Sequence, residues 1–144
     1  VCITGTLTPA LFEAGLEGLF TPKLVPQIAE CDEFCNKCGQ ACPTGAIKNM
    51  PLDIKRNFKI GTAEIDRSKC IAWADNSLCL ICQEFCPYLS IKVVRNEHGT
   101  PCPVMIPEIC RGCGICENNC PAVPIRAIKV FNTGAGTIIQ DKNS

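Results

Sequence analysis

The sequence predicts a small α+β chain of repeated units, each with short strands and helices around a group of cysteines. Two observations predict this fold class. Fourteen of the 144 residues are cysteines, and most of them fall into blocks that end in Cys-Pro. The segments between the blocks are short, and their apolar residues alternate as in strands or recur with helical spacing.

The last block indicates what chemistry the cysteines serve. It reads Cys-Arg-Gly-Cys-Gly-Ile-Cys-Glu-Asn-Asn-Cys-Pro from Cys110 to Pro121, and C-x2-C-x2-C-x3-C-P is a run that ligates 4Fe–4S clusters through thiolate sulfur. Disulfide frameworks have no reason to repeat this spacing, and the single histidine, His98, argues against Cys2His2 zinc and haem attachment. The sequence therefore predicts ferredoxin-like repeats wrapped around 4Fe–4S clusters, with zinc and disulfides as the less favoured alternatives.

Two earlier blocks vary the same spacing. Counted after an incomplete first block at Cys2, the second block contains Cys31, Cys35, Cys38 and Cys42, and the third contains Cys70, Cys79, Cys82 and Cys86. Cys2 aligns with Cys42 in the phrase Cys-x-Thr-Gly. It is therefore predicted to be the fourth cysteine of a repeat that lacks its first three, with a stray terminal cysteine as the alternative. Cys102 fits no block and is predicted to be a buried thiol that is not a ligand.

The assignment of the fourth ligands leaves alternatives, because a trailing cysteine can ligate the other cluster of a pair. If the two inner blocks exchange their trailing cysteines, the ligand sets are Cys31, Cys35, Cys38 and Cys86, and Cys70, Cys79, Cys82 and Cys42. The remaining set is Cys110, Cys113 and Cys116 with either Cys2 or Cys120. Three 4Fe–4S clusters are therefore expected in this chain, and no catalytic residue is predicted.

The rest of the chain divides into three parts. Residues 1–30 are predicted to be the tail of a truncated first repeat, followed by a short helix over 8–20. Residues 31–131 are predicted to form a ferredoxin domain with three cysteine blocks. Residues 132–144 are predicted to be a C-terminal tail. Strands are predicted at 44–47, 60–66, 90–95, 102–106 and 127–131, and a hairpin turn joins the third and fourth of these. A basic helical turn is predicted over 51–58, with Lys55, Arg56 and Lys59 facing solvent.

Composition excludes several classes of function. Lysine plus arginine and aspartate plus glutamate number 14 each, so no net charge points to nucleic acid or an anionic membrane surface. The sequence shows no apolar run of transmembrane length and no signal peptide. It opens on Val1, which predicts a processed or trimmed chain or a piece of a longer one. The compartment is left open between cytoplasm and periplasm, with membrane association through a partner as an option.

The three Cys-Pro blocks, the insertion between Cys70 and Cys79, and the phrase Ile60-Gly-Thr-Ala-Glu-Ile-Asp-Arg-Ser-Lys-Cys70 resemble the multi-cluster ferredoxins that accompany periplasmic nitrate reductases and related quinol-oxidising membrane complexes. The resemblance covers residues 1–131. In that family four blocks bind four 4Fe–4S clusters, paired outer with outer and inner with inner. This chain departs from the pattern because it lacks the leading cysteines of the first block and has Ile3 where proline is usual.

The resemblance implies an electron-transfer protein that relays electrons between a redox donor and a reductase or oxidoreductase partner. The implied partners are redox proteins, such as a quinol-oxidising membrane protein or a reductase subunit, within a larger complex. The alternative is an iron–sulfur subunit or fragment of a larger redox enzyme with a substrate-binding cluster. No acid–base constellation in the sequence supports that alternative.

Overall fold

A computed structural model describes residues 1–11 and 15–139. Its strands are β1 (Leu7–Pro9), β2 (Pro22–Leu24), β3 (Thr62–Ile65), β4 (Ile91–Arg95), β5 (Pro101–Met105) and β6 (Ile128–Phe131). Its α-helices are α1 (Lys37–Ala41), α2 (Leu52–Asn57), α3 (Ile71–Ala74), α4 (Ile81–Glu84) and α5 (Ile115–Asn118). The mixture of short helices and short strands agrees with the predicted α+β class.

The strands pair into antiparallel two-stranded sheets, β1 with β2, β3 with β6 and β4 with β5. The β3–β6 pair joins distant parts of the sequence, with Thr62 opposite Phe131 and Ile65 opposite Ile128. Ala63 and Ile128 are almost fully buried between this sheet and the cysteine blocks. This pairing therefore holds the beginning of the third block close to the end of the last one.

The predicted hairpin is confirmed in the β4–β5 sheet, where Ile91 lies opposite Met105. The Asn96 side chain closes its turn by accepting hydrogen bonds from the backbone N–H groups of His98 and Thr100, both at 3.0 Å. Cys102, on β5, is fully buried, and its thiol donates to the carbonyl oxygen of Ala72 at 3.2 Å. The predicted burial of Cys102 is confirmed.

The predicted helix over residues 8–20 is absent from the part of that segment that the structure describes. Leu7 pairs with Leu24 in the β1–β2 sheet, and a single 3-10 turn follows at Leu16–Gly18. Residues 12–14 of this prediction lie outside the described residues. The strand pairing outweighs helical periodicity here, and Gly15 breaks the helical path because its φ is +73°.

Two further local predictions are wrong. Residues 44–47 form turns and bends instead of a strand, with Gly45 at a φ of +70°. Lys59 was expected to face solvent, yet it is only 7% exposed and its ammonium group donates to the Pro107 carbonyl oxygen at 2.5 Å. The predicted strands at 60–66, 90–95, 102–106 and 127–131 and the helical turn over 51–58 are confirmed in type.

No helix in the described ranges is long and apolar enough to cross a membrane.

Candidate metal centres

The cysteines of the second block face a cavity together with Cys2. This N-terminal site has a volume of about 370 Å³, and the cysteines that line it are Cys2, Cys31, Cys35 and Cys38. Cys38 lies on α1, and the α1–Cys2 side of the cavity is completed by apolar residues such as Leu24, Ile47 and Phe58. All four cysteines are partly buried. The cavity is thus a broad, partly open pocket with four thiols on its wall.

The thiols of the N-terminal site respond to burial and to one another. Burial raises the pKa of Cys31, the Lys55 ammonium opposes that change, and nearby Cys38 and Cys2 add to it. The Lys55 side chain also donates to the Asp32 carbonyl oxygen. Burial by itself raises the pKa of Cys2. Hydrogen bonds from the Thr4 hydroxyl and from backbone N–H groups outweigh burial and lower this pKa to about 7. Lys55 therefore places a positive charge beside Cys31, which favours the thiolate form of that cysteine.

A second pocket, the distal site, is lined by Cys70, Cys79, Cys82 and Cys120. Its volume is about 20 Å³, close to what one water molecule needs. Apolar side chains of Ile65, Ile71 and Ile128 complete its wall. Burial, followed by the neighbouring cysteines Cys70, Cys120 and Cys79, raises the pKa of Cys82 to about 12. Cysteine sulfurs and apolar side chains therefore make up most of the wall of the distal site.

Four of the six remaining cysteines form the central site, which consists of Cys86, Cys110, Cys113 and Cys116. Cys86, Cys110 and Cys116 are each less than a tenth exposed and belong to one core cluster with Ala63 and Ile128. Burial raises the pKa of Cys113 to about 12, and Cys86, Cys110 and Cys31 act in the same direction. The backbone N–H of Ala63 donates to Cys110 Sγ at 3.4 Å. This is the most buried of the three sites.

The central site lies between the other two. The backbone N–H of Cys31 donates to the Cys113 carbonyl oxygen at 2.8 Å, which joins the N-terminal and central sites directly. Cys82 of the distal site is close enough to Cys116 to help raise its pKa, although burial is the main cause. The order through the protein is therefore N-terminal, central, distal.

The structure groups the fourth cysteines differently from the predicted sets. The sequence placed Cys86 with the second block and Cys42 with the third, whereas the structure places Cys86 with the last block and Cys120 with the third. Cys2 and Cys120 were the two candidates to complete the last block, and they lie instead with the second and the third block. The reason is tertiary, because the β3–β6 sheet and the contact of α4 with α5 bring the third and last blocks together.

Cys42 stands apart from all three sites. It is partly exposed, and it does not line either of the cysteine-walled cavities. The backbone N–H of Ile47 and the Thr44 hydroxyl stabilise its thiolate and lower its pKa to about 7. Cys42 is therefore an available thiolate near neutral pH and has no sulfur partners in the described sites.

Polar residues that the sequence analysis did not select surround the central site. Arg111 is 3% exposed, and its guanidinium lies 5.0 Å from the centre of the Tyr88 ring. Burial, and next the neighbouring Cys113, raises the pKa of Tyr88. Ser90 contacts Cys86 Sγ. The position of Arg111 directly after Cys110 could have indicated from sequence that it lies near this site. No sequence pattern indicated that Tyr88 and Ser90 lie there.

Four thiols around one site match the donor set that ligates a 4Fe–4S cluster, so the residues present fit that group. Within residues 1–11 and 15–139, no three or more histidine, cysteine, aspartate or glutamate side chains gather as a site for a single metal ion. Two of the cysteine groups line pockets and the third lies in the core. A 4Fe–4S cluster would be held at several of its corners rather than at one central atom. The thiols, not carboxylates or imidazoles, provide the donors.

Comparison with known proteins places the chain among ferredoxin-type proteins. It is 30% identical over 136 residues to the methylamine utilization ferredoxin-type protein MauM of Methylobacillus flagellatus, covering 85% of this chain and 56% of that protein. It is 32% identical over 101 residues to the ferredoxin-type protein NapF of Escherichia coli, covering 68% of this chain and 56% of NapF. No family model matches the chain.

A third relative is the ferredoxin-type protein NapG of Haemophilus influenzae, which is 26% identical over 121 residues, covering 77% of this chain and 42% of NapG. The chain spans about half the length of these curated relatives. The similarity confirms the resemblance to ferredoxin-type proteins that the sequence indicated.

Proposed function

We propose that this ferredoxin-type protein of the Nap and Mau kind carries electrons through three 4Fe–4S clusters. One cluster occupies each of the N-terminal, central and distal sites. The observation that carries this proposal is the division of twelve cysteines into three groups of four, in the order in which the sites adjoin. When bound, a 4Fe–4S cluster supplies a one-electron redox centre.

The cysteines of each site bind as thiolates, so loading the protein releases protons. Burial raises the pKa of Cys82 and of Cys113 to about 12, so their thiols hold their protons firmly at neutral pH until metal replaces them. Acid therefore weakens binding at the central and distal sites.

The arrangement of the sites supports a relay rather than a single redox centre. Cys31 and Cys113 are in hydrogen-bond contact through their backbones, and Cys82 lies beside Cys116. Electrons that enter at the N-terminal or the distal site pass through the central site to reach the other end. The apolar walls of the distal site exclude water, which favours electron transfer over side reactions at the sulfurs.

The proposed partners are redox proteins, such as a quinol-oxidising membrane protein or a reductase subunit. The relatives with Nap names support a partner in a reductase complex, and the ferredoxin-type description supports a carrier rather than an enzyme. A quinol-oxidising partner would hold this protein at a membrane surface. Turnover of a small substrate without any partner protein would instead favour an enzyme subunit with a substrate-binding cluster.

Iron and acid-labile sulfide per chain, measured on anaerobically prepared protein, test this proposal. About twelve irons and about twelve sulfides are expected, since each 4Fe–4S cluster contains four of each. The protein should be brown, and dithionite should bleach its broad visible absorbance. A Cys102→Ala variant is the matched control, because Cys102 is a buried cysteine outside the three sites, and it should retain all the iron. A colourless protein that contains zinc would contradict the proposal.

A further inference from the structure

Ser90 lies immediately before β4 and contacts a sulfur of the central site. Its side chain is 2% exposed, and its hydroxyl oxygen is 3.1 Å from Cys86 Sγ. The Ser90 backbone N–H donates to the same sulfur at 3.4 Å, while its carbonyl oxygen accepts from the Ile106 N–H at 2.7 Å. The backbone of Ser90 is therefore fixed on both sides, and its hydroxyl is held against Cys86.

The chemistry of the sulfur fixes the direction of this hydrogen bond. A cysteine that ligates iron is a thiolate, which carries no proton and can only accept. The Ser90 hydroxyl must then be the donor. In the described residues every buried side-chain nitrogen or oxygen has a hydrogen-bond partner, so the contact with Cys86 satisfies the Ser90 hydroxyl.

The other trailing cysteines have a different environment. Thr4 lies 3.4 Å from Cys2 Sγ in a partly buried contact, and Thr44 lies 3.6 Å from Cys42 Sγ in an exposed one. Cys120 is followed by Pro-Ala-Val-Pro, which offers no hydroxyl. Ser90 therefore makes the shortest and most deeply buried hydroxyl contact with a trailing cysteine.

A buried donor on a ligand sulfur favours the reduced state of a redox centre. Reduction adds one negative charge, and a hydrogen bond to the sulfur strengthens as that charge grows, more so where water is excluded. Hydrogen bonds to cluster sulfurs are among the factors that set reduction potentials. No proton moves in this step, because the external donor, dithionite in the test below, supplies only an electron and the hydrogen stays on Ser90 Oγ.

We propose that Ser90 is a positioning residue that acts through Cys86 Sγ to raise the reduction potential of the central site above the value it would have without the hydroxyl. The inference rests on the proposed function, since it concerns a cluster held by Cys86, Cys110, Cys113 and Cys116. It also assigns the hydroxyl contact a role that the distal site, with Cys120, does not share.

The test compares two variants that differ only by a hydroxyl. Ser90→Thr keeps the donor and Ser90→Val replaces it with a methyl group of the same shape. An EPR-monitored redox titration of the iron-loaded protein should show one midpoint potential lowered in Ser90→Val, by up to about 59 mV for a tenfold loss of preference for the reduced state. Ser90→Thr should retain the wild-type midpoint, and the other midpoints should not move in either variant.

Thr44→Val is the control for removal of a hydroxyl from a cysteine outside the three sites. It removes the hydroxyl beside Cys42, and all midpoints should stay at their wild-type values. Equal midpoints in Ser90→Val, Ser90→Thr and wild type, with full iron content, would overturn the inference while leaving the proposed function intact. A wild-type protein without any 4Fe–4S EPR signal after reduction would instead refute the proposed function, and the inference with it.

Deuterium ENDOR on the wild-type protein keeps the inference testable even if the variants lose iron. After preparation in D2O, the reduced central cluster should couple to an exchangeable deuteron at the hydroxyl distance from a ligand sulfur, in addition to backbone deuterons. Coupling to backbone deuterons alone would overturn the inference.

Discussion

The N-terminal site and the pair formed by the central and distal sites are built in different ways. In the N-terminal site Cys2 lies with three cysteines of the second block, and all four are only partly buried around a cavity of about 370 Å³. The other two exchange trailing cysteines, with Cys86 entering the last block and Cys120 the third, and most of the central sulfurs are buried. We therefore expect the central and distal sites to lose their clusters together, because each contains a cysteine from the other's block. The N-terminal site should lose its cluster independently.

Replacing Cys86 with alanine should have the largest effect. Its sulfur contacts Ser90 and lies in the core with Cys110 and Cys116, so its loss should open the core that also carries the distal sulfurs Cys82 and Cys120. We expect Cys86→Ala to lose about eight of about twelve irons, because each 4Fe–4S cluster holds four. Iron and sulfide analysis measures this, and loss of only about four irons would show that the two sites are independent.

Gly112→Ala should destabilise the link between the last block and β3. Gly112 has a φ of +75°, and a Cβ there would lie 2.5 Å from the backbone of Gly61. We expect a loss of about 2–5 kcal/mol, from the left-handed backbone and from overpacking together. The midpoint of urea-induced bleaching of the visible absorbance measures it.

Gly99→Ala is the matched control for that variant. Gly99 has a similar φ of +79°, yet a Cβ there would meet nothing within 4 Å. It should therefore lose only the backbone contribution of about 1–2 kcal/mol. Equal shifts in the two variants would show that the close approach of Gly112 to Gly61 contributes nothing.

Cys2→Ala should lose a single cluster, with about four irons removed and the central and distal signals retained. Cys2 lines the cavity that also holds Cys31, Cys35 and Cys38, and the other two sites do not depend on it. Cys42→Ala is its control and should keep all the iron, because Cys42 lies outside the three sites. The sets predicted from sequence give the opposite result for Cys42, since they use it to complete the third block.

The smallest expected effect is on the reactivity of Cys42. Its pKa is lowered to about 7 by the Ile47 N–H and the Thr44 hydroxyl, so its thiolate forms as pH rises through 7 and alkylation should accelerate from pH 6 to pH 8 before levelling off. Mass spectrometry of iron-loaded protein treated with iodoacetamide measures this rate. Thr44→Val should move the profile to higher pH, and a wild-type profile centred near an ordinary cysteine pKa of about 8.5 would contradict the prediction.

Local sequence determined much of what the structure contains. The cysteine spacing identified the blocks, alternation predicted β3, and the turn residues around Asn96 predicted the hairpin of β4 and β5. The isolation of Cys102 from every block indicated a buried thiol, and it is fully buried. These features depend on near neighbours in the chain, so spacing and periodicity suffice to predict them.

Tertiary structure decided which block each trailing cysteine joins. The spacing of Cys42, Cys86 and Cys120 within their blocks is the same, so it cannot distinguish their partners. The β3–β6 pairing brings the third and last blocks together, and the β1–β2 pairing replaces the predicted helix near Cys2. Burial of Lys59 likewise follows from packing between distant segments, because its ammonium group donates to the carbonyl oxygen of Pro107. Sequence thus specified the donors, whereas contacts between remote parts of the chain grouped them, because grouping depends on distances that local spacing does not encode.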